Sequence, residues 1–348
     1  MTIWEDLILF RKIGALFMIN LKDIVITPDM LNQIAELDWF AGAWMEGYQS
    51  KLSQKDLQTM KDETRIKSIE AASSISGSII SENGIKGILN HDDNQTTLML
   101  SEKWYVKGYD ELLYLIYTNY KTIPLSENYV KKLNQVLFQF SDKYSKIGGE
   151  YKDPSVSEQM KELIDWTERT LRDRFFHPII VIGVFAVHFW TINPFQDGNF
   201  RLLIAIIIWL MQQNNYIYMQ YHSLETIIKE NIRSFIRIIE DTKKTIQVGA
   251  PEYTHWLLFF TDILIQHKEL INEIVAKQIK INRLKLSDTS YKILGAFTSE
   301  YSCLGMKMII RRVGLKKDTV RKAVSILVKK GFLTKIGSTN HAIYYKNV

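Results

Sequence analysis

Two apolar runs separated by a short polar turn constrain the fold of this chain more than any other feature. Residues 179–190 and 202–211 are almost wholly apolar, and the turn from Pro194 to Arg201 lies between them. Proline ends the first run because its ring and its missing N–H are incompatible with a continuing helix. Both runs are too short to span a bilayer, so they predict two buried helices and no membrane partner.

The turn contains the residue types of an anion site. Asp197, Gly198 and Asn199 favour turns and helix N-caps. A buried helix that begins there presents free N–H groups and the positive end of its dipole, which favour a phosphate. Arg201 can add a two-pronged contact to phosphate oxygens. Asp197 can hold a hard cation such as Mg²⁺, and Phe195 is predicted to plug the loop into the core.

The stretch from Asn193 to Ile204 reads Asn-Pro-Phe-Gln-Asp-Gly-Asn-Phe-Arg-Leu-Leu-Ile. It resembles the signature loop of the Fic (Fido) family, His-Pro-Phe-x-Asp/Glu-Gly-Asn-Gly-Arg-x-x-Arg. Most Fic proteins transfer AMP from ATP to a hydroxyl side chain of a target protein, which the sequence does not name. The resemblance implies that Asp197 holds Mg²⁺ and that Phe195 anchors the loop. It also implies that the phosphates of ATP are cradled by Gly198, Asn199, Phe200 and Arg201.

Three positions depart from the family pattern. Asn193 replaces the histidine that acts as general base, and a carboxamide is not basic near neutral pH. Loss of a positioned base typically lowers the rate by about 10²–10⁴-fold. Phe200 replaces a glycine where the backbone approaches phosphate, and Ile204 replaces the final arginine of the phosphate clamp. The resemblance therefore implies partly kept nucleotide binding and impaired AMP transfer.

A second short motif lies upstream. Residues 61–90 are predicted to form a helix that ends at Glu82-Asn83-Gly84. The stretch Ser78 to Asn83 is similar to the inhibitory-helix motif of many Fic proteins, in which a glutamate pairs with the final arginine of the loop. Glu82 would be that glutamate, and with Ile204 at the arginine position it needs another cation, such as Arg201. The alternative, an ordinary solvent-facing glutamate near a helix end, stays open.

The stretch from Gly149 to Lys152 resembles the element that precedes the target-docking β-hairpin of the family. Few residues separate it from the next helix, so this flap is predicted to be short or absent. The histidines are scattered without metal-ligand spacing. His177 and His188 are therefore predicted to be hydrogen-bonded core or cap residues.

The C-terminal region is strongly basic. From residue 306 to 348 the chain has eleven Lys and Arg and one acid, Asp318, a net charge of +10, so the rest carries −4 of the total of +6. Three helical segments and a hairpin pattern over residues 332–345 resemble a winged helix. Its third helix would contact DNA through Lys316, Lys317, Thr319, Arg321 and Lys322. The alternative is a winged helix used for protein contacts or dimerisation.

The predicted fold is therefore all-α. It has an N-terminal helical region (residues 1–110), a Fic core (111–280) and a C-terminal winged helix-turn-helix (287–348). Two functions compete: a Fic-type nucleotidyltransferase relative with impaired AMP transfer, and a DNA-binding regulator that uses the core as a scaffold or nucleotide sensor. The single cysteine, Cys303, and an N-terminus unlike a signal peptide favour the cytoplasm. A homo-oligomer is compatible with the sequence.

Overall fold

The chain divides into two compact units, Met1–Ile274 and Val275–Val348. The structure, a computed structural model, describes residues 19–346 except residues 50–51, 79, 91–99, 142–143, 147, 285, 298–302 and 338–341. Helices dominate the described residues, so the all-α prediction is confirmed. The predicted boundary at residue 110 falls inside a helix, Leu100–Asn119.

The α-helices described in the first unit are, in chain order, α1 (Pro28–Ala43), α2 (Gln54–Ile75), α3 (Glu82–Leu89), α4 (Leu100–Asn119), α5 (Glu127–Phe138), α6 (Ser155–Asp173), α7 (Pro178–Ile192), α8 (Asn199–Gln213), α9 (Leu224–Glu230), α10 (Ile232–Gln247) and α11 (Thr254–Leu284). Helix α11 continues into the second unit. A π-helical turn, Trp44–Tyr48, extends α1. A short 3-10 helix, Ile217–Tyr221, precedes α9.

Helices α7 and α8 are the two apolar runs of the sequence, and they form the centre of this unit. Helix α7 is buried without interruption from residue 179 to 189, and α8 from residue 201 to 212. Helix α7 packs on α6, α8 and α10, while α8 also packs on α4, α5 and α9. Burial on every side explains why both sequences are apolar all round rather than amphipathic.

The predicted helix over residues 61–90 is instead two helices. Helix α2 ends at Ile75, and Gly77 follows in the left-handed conformation with φ of 84°. Helix α3 then begins at Glu82, because the Ser81 side chain accepts a hydrogen bond from the Gly84 N–H and caps its N-terminus. The Asn-Gly pair that suggested a helix stop therefore lies inside the first turns of α3.

Both histidines near the central helices have structural partners, as predicted. His177 caps α7, and its Nδ1 accepts a hydrogen bond from the Ile179 N–H at 3.3 Å. His188 lies inside α7, and its Nε2 is 2.8 Å from the Tyr253 hydroxyl of the segment before α11. These contacts fix the start of α7 and its packing against α11.

The second unit combines three helices with a small antiparallel sheet of strand order β1-β3-β2. Along the chain its elements are α12 (Asp288–Gly295), β1 (Cys303–Gly305), α13 (Met306–Val313), α14 (Lys317–Lys329), β2 (Leu333–Ile336) and β3 (Ile343–Lys346). Strands β2 and β3 confirm the predicted hairpin, whose turn lies outside the described residues. Strand β1 was not predicted, because three residues carry no readable alternation.

None of the helices in the described part of the chain is long and apolar enough to cross a membrane.

Three buried histidines make the stability of the first unit depend on pH. Burial lowers the pKa of His188 to about 3, of His222 to about 4 and of His267 to about 3, from an ordinary value of 6.5. The unfolded chain therefore takes up protons first as pH falls. We expect the unfolding free energy to be constant above pH 6.5 and to fall below it, by up to about 1.4 kcal/mol per pH unit for each histidine.

Urea denaturation at pH 7.5, 6.0 and 5.0 measures this slope. His188→Gln should reduce the slope below pH 6.5, because one neutral histidine no longer has to be kept unprotonated. His255→Gln is the matched control, since the side chain of His255 is 88% exposed. Equal slopes in the wild type and His188→Gln would contradict the prediction.

Candidate functional site

The side chain of Asn199 closes the polar turn between α7 and α8. Helix α7 ends at Ile192, and the C-cap residue Asn193 is exposed and adopts the left-handed conformation with φ of 47°. The Asn199 side chain then makes two hydrogen bonds to the backbone of Phe195: its Oδ1 accepts from the N–H at 2.9 Å, and its Nδ2 donates to the carbonyl at 2.7 Å. Phe195 is fully buried, so it anchors the loop in the structure.

A neighbouring segment holds the turn from outside. The Lys152 N–H donates to the Pro194 carbonyl at 3.0 Å, and Tyr151 forms an isolated antiparallel bridge with Phe195. The described residues between α5 and α6 contain this bridge and no strand. That observation agrees with the short or absent flap expected from the sequence.

Asn134 of α5 also holds the turn, and sequence reasoning missed it. Its Nδ2 donates to the Asp197 carbonyl at 3.3 Å, and its Oδ1 accepts from the Gly149 N–H at 2.9 Å. The side chain is buried, so it joins the two segments in the interior. Its one signal in the sequence is that a polar residue stands on the apolar face of α5, among Val130, Leu133 and Leu137.

Helix α8 begins after a glycine in the left-handed conformation. Gly198 precedes it with φ of 78°, and a Cβ there would lie 3.1 Å from Leu137 and Phe138, so the position requires glycine. No side chain caps this helix. Its first N–H groups and the positive end of its dipole therefore face the turn, where Asp197 is exposed.

Arg201 is the most unusual residue of the site. Its side chain is in the first turn of α8, and the residue is only 3% exposed. The guanidinium carbon lies 4.0 Å from the ring centre of Tyr105 and 5.5 Å from that of Phe138. Its Nη1 is buried without a hydrogen-bond partner, and no ion pair between described residues involves Arg201. A buried cation without a counter-charge is unfavourable, so this position suits an anion.

Tyr105 of α4 forms the wall of the site opposite Arg201, and sequence reasoning missed it as well. Its hydroxyl lies 3.2 Å from the Ser76 hydroxyl at the end of α2. Burial raises the pKa of Tyr105, while the charge of Arg201 acts in the opposite direction. The phenol therefore stays neutral and presents its ring face to the guanidinium.

The positions that depart from the expected pattern lie in three different environments. Asn193 is at the surface, whereas Ile204 is fully buried. The ring of Phe200 packs edge-on against Phe235 of α10, with centroids 6.2 Å apart, on a different side of α8 from the ring stack of Arg201. The bulk of Phe200 is thus directed toward α10.

Glu82 lies in the first turn of α3, and its side chain is 48% exposed. Its Oε2 is 3.8 Å from Nζ of Lys86. Neither a hydrogen bond nor an ion pair joins Glu82 to Arg201, so the structure does not bring these two residues together. The inhibitory role of Glu82 stays a prediction.

The predicted DNA-contacting residues lie together in the second unit. All of them are exposed, at the N-cap and in the first half of α14: Lys316, Lys317, Thr319, Arg321 and Lys322. The opposite face of α14 is buried, because it packs Val320, Val324 and Leu327 into the core of this unit. The basic residues therefore form one exposed surface.

Comparison with known proteins gives one family match, within the first unit, and several similar structures. Residues 124–211 match the model of the Fic/DOC family, while a search of the curated proteins finds no match. A Fic family protein from Desulfovibrio desulfuricans G20 is similar in structure, with a TM-score of 0.61 and 17% identity over 93% of this chain and 97% of that chain.

Two further solved structures are similar. A Fic domain containing signaling protein from Bacteroides thetaiotaomicron VPI-5482 has a TM-score of 0.55 and 16% identity, and the match covers 72% of this chain and 98% of that chain. Fic-1 from C. elegans has a TM-score of 0.52 and 16% identity, and the match covers 67% of this chain and 70% of that chain. Identities this low establish the fold. Together with the match of residues 124–211 to the Fic/DOC family model, they show a Fic-like fold around the α7–α8 turn.

Proposed function

We propose that the Fic domain binds the phosphates of a nucleotide at the N-terminus of α8, and that it is a protein adenylyltransferase relative with impaired AMP transfer. Arg201 carries the proposal, because its buried Nη1 lacks a hydrogen-bond partner. A phosphate oxygen would supply both the missing acceptor and the missing negative charge. The open first turn of α8 adds N–H donors beside it.

ATP and Mg²⁺ both fit the residues that are present. Asp197 is a single exposed carboxylate at the mouth of the turn. The described residues contain no cluster of three or more His, Cys, Asp and Glu that could hold a metal by themselves. One carboxylate together with phosphate oxygens is a donor set that Mg²⁺ uses, so Asp197 would hold an ion that neutralises phosphate charge. Phosphate contacts from Asn199, Phe200 and Arg201 would orient the nucleotide.

The transfer step lacks its proton acceptor. In AMP transfer the hydroxyl oxygen forms a bond to the α-phosphorus of ATP, the whole AMP group moves to that oxygen and pyrophosphate leaves, while the hydroxyl proton must pass to a base. Asn193 stands at the position of that base, and its carboxamide does not accept a proton near neutral pH. Nucleotide binding without efficient transfer is the outcome that this residue set supports. The single cysteine supports a reducing compartment such as the cytoplasm for this activity.

Calorimetric titration with Mg-ATP tests the binding site. We expect Arg201→Met to weaken binding about ten- to hundredfold, because a charge-assisted hydrogen bond contributes about 1.5–3 kcal/mol. Methionine keeps much of the volume against Tyr105 and Phe138, so the fold should persist. Ile204→Met, at a buried position of the same helix, is the control for packing and should bind like the wild type. Equal affinities of the wild type and Arg201→Met would remove the basis of the proposal.

Restoration of the base tests the second part. Asn193→His is compatible with the structure, because the position is exposed and histidine tolerates the left-handed conformation. We expect labelling by radioactive AMP, in a lysate or on the protein itself, to rise by about 100-fold or more. Asn193→Ala is the matched control and should remain at the wild-type level.

The triple variant Asn193→His, Phe200→Gly, Ile204→Arg carries the full family pattern. Ile204→Arg introduces a charge at a fully buried position, so we expect it to reduce stability unless nucleotide is bound. If neither Asn193→His nor the triple variant is labelled although both still bind nucleotide, residues outside the loop also prevent AMP transfer.

We propose a second function, DNA binding, for the C-terminal unit. Its elements follow the order helix, strand, helix, helix, hairpin, which is typical of a winged helix. The helix before the hairpin, α14, has the position of a recognition helix and exposes four cations in its N-terminal region. Phosphate contacts from these cations would supply affinity that falls with salt.

Fluorescence anisotropy of the full chain with labelled duplex DNA, at 50–300 mM salt, tests this function. We expect a linear fall of log affinity with log salt. Combined Lys316→Ala, Lys317→Ala, Arg321→Ala and Lys322→Ala should reduce the slope by about 0.9 for each phosphate that the protein no longer neutralises. Lys55→Ala with Lys161→Ala, two exposed lysines of the first unit, is the control. A slope that the four substitutions leave unchanged would favour a protein-contact role for this unit.

A further inference from the structure

Helix α1 exposes an apolar face that nothing in the described structure covers. Its core side buries Met30, Ile34, Leu37 and Phe40. On the opposite side, Leu31, Ala35 and Trp39 recur at intervals of four residues and form a line along the helix, the α1 stripe. Leu31 is 57% exposed and Trp39 is 68% exposed. An exposed tryptophan in line with a leucine is a feature of interaction surfaces.

A second exposed aromatic residue lies in a segment that contacts α1. Asp38, next to Trp39, accepts a hydrogen bond from Nε2 of His177 at 3.1 Å. That contact brings the segment before α7 against α1, and Phe175 in this segment is 66% exposed. The exposed apolar area of Leu31, Trp39 and Phe175 together is on the order of 400 Å², comparable to the largest apolar patches on soluble monomers, which are often functional.

The acidic residues beside the α1 stripe have hydrogen-bond or ion-pair partners within the chain. Asp38 is held by His177 and by the Tyr216 hydroxyl. Glu36, on the other side, pairs with the ammonium of Lys268. Each of these carboxylates therefore already has a partner in its own copy when a second surface approaches the stripe.

We propose that a second copy of this chain docks on the α1 stripe as an antiparallel helix pair with a two-fold axis at Ala35. The stripe is self-complementary in this arrangement. The small Ala35 faces its own counterpart, which permits close approach, while Leu31 of each copy packs against Trp39 of the other. Isologous contacts of this kind are the commonest basis of soluble dimers.

The size of the patch agrees with a reversible dimer. Because apolar atoms supply about 65% of a homodimer interface, the same patch on both copies corresponds to a total buried area of roughly 1,200 Å². Gly42, one turn beyond Trp39, leaves further room beside the stripe, since a Cβ there would meet nothing within 4 Å. The proposal does not depend on nucleotide or DNA binding, so it stands or fails separately.

Sedimentation velocity of the full chain at 1–100 µM tests the dimer. We expect the wild type, of 40.7 kDa, to sediment as a dimer at the upper concentrations. Ala35→Glu places two carboxylates together at the two-fold axis, and Trp39→Ser removes most of the apolar surface that the partner would cover. Each should raise the dissociation constant by about 100-fold or more, with thermal unfolding unchanged. Val248→Glu, at a 77% exposed apolar position after α10, is the matched control.

Cross-linking tests the register of the helices. With Cys303→Ser as background, Ala35→Cys should form a covalent dimer under mild oxidation, because the two residues meet at the axis. Leu31→Cys alone should not, because the proposed register places each Leu31 against Trp39 of the other copy and keeps the two Leu31 positions apart. A wild type that is monomeric at 100 µM, or a dimer that resists Ala35→Glu, overturns the proposal. Dimers that form only after removal of residues 1–17 also overturn it and assign the stripe to that segment.

Discussion

The paired hydrogen bonds between the Asn199 side chain and the backbone of Phe195 are the contact on which the site depends. They join the first residue of α8 to the loop that leaves α7, so two helices buried on every side meet at one fixed angle. Two hydrogen bonds contribute only about 1–3 kcal/mol, but they hold a turn that has no helix or sheet hydrogen bonds of its own. Asn134 and the bridge at Tyr151 then hold the same loop from α5 and from the segment before α6.

This geometry places a cation in the interior. Removal of a guanidinium from water is unfavourable, and Arg201 recovers part of that free energy from the ring face of Tyr105, by about 2 kcal/mol for a desolvated contact. The rings also fix the side chain before any ligand arrives, so little conformational entropy is lost on binding. The proposed anion site is therefore preorganised, while Asn193, at the position of the base in the family pattern, is an amide.

The sequence predicted those parts of the fold and site that are local. The two apolar runs, the turn at Asp197 to Asn199 and the buried Phe195 all follow from residues that are close together in the chain. Asn134 and Tyr105 could not be predicted, because their role arises from contacts with residues 63 and 96 positions away. The break between α2 and α3 was misplaced because Asn-Gly was taken as a helix stop, while the Ser81 cap decides the start of α3.

The burial of Ile204 separates this position from Asn193 in what each of them tolerates. A histidine fits at the exposed Asn193, since the backbone there already suits it. An arginine at position 204 would place a charge among closely packed apolar side chains, which would have to change together with it. The substitutions that would complete the signature pattern therefore differ in cost: the surface of the loop accepts one of them, and the interior of α8 resists the other.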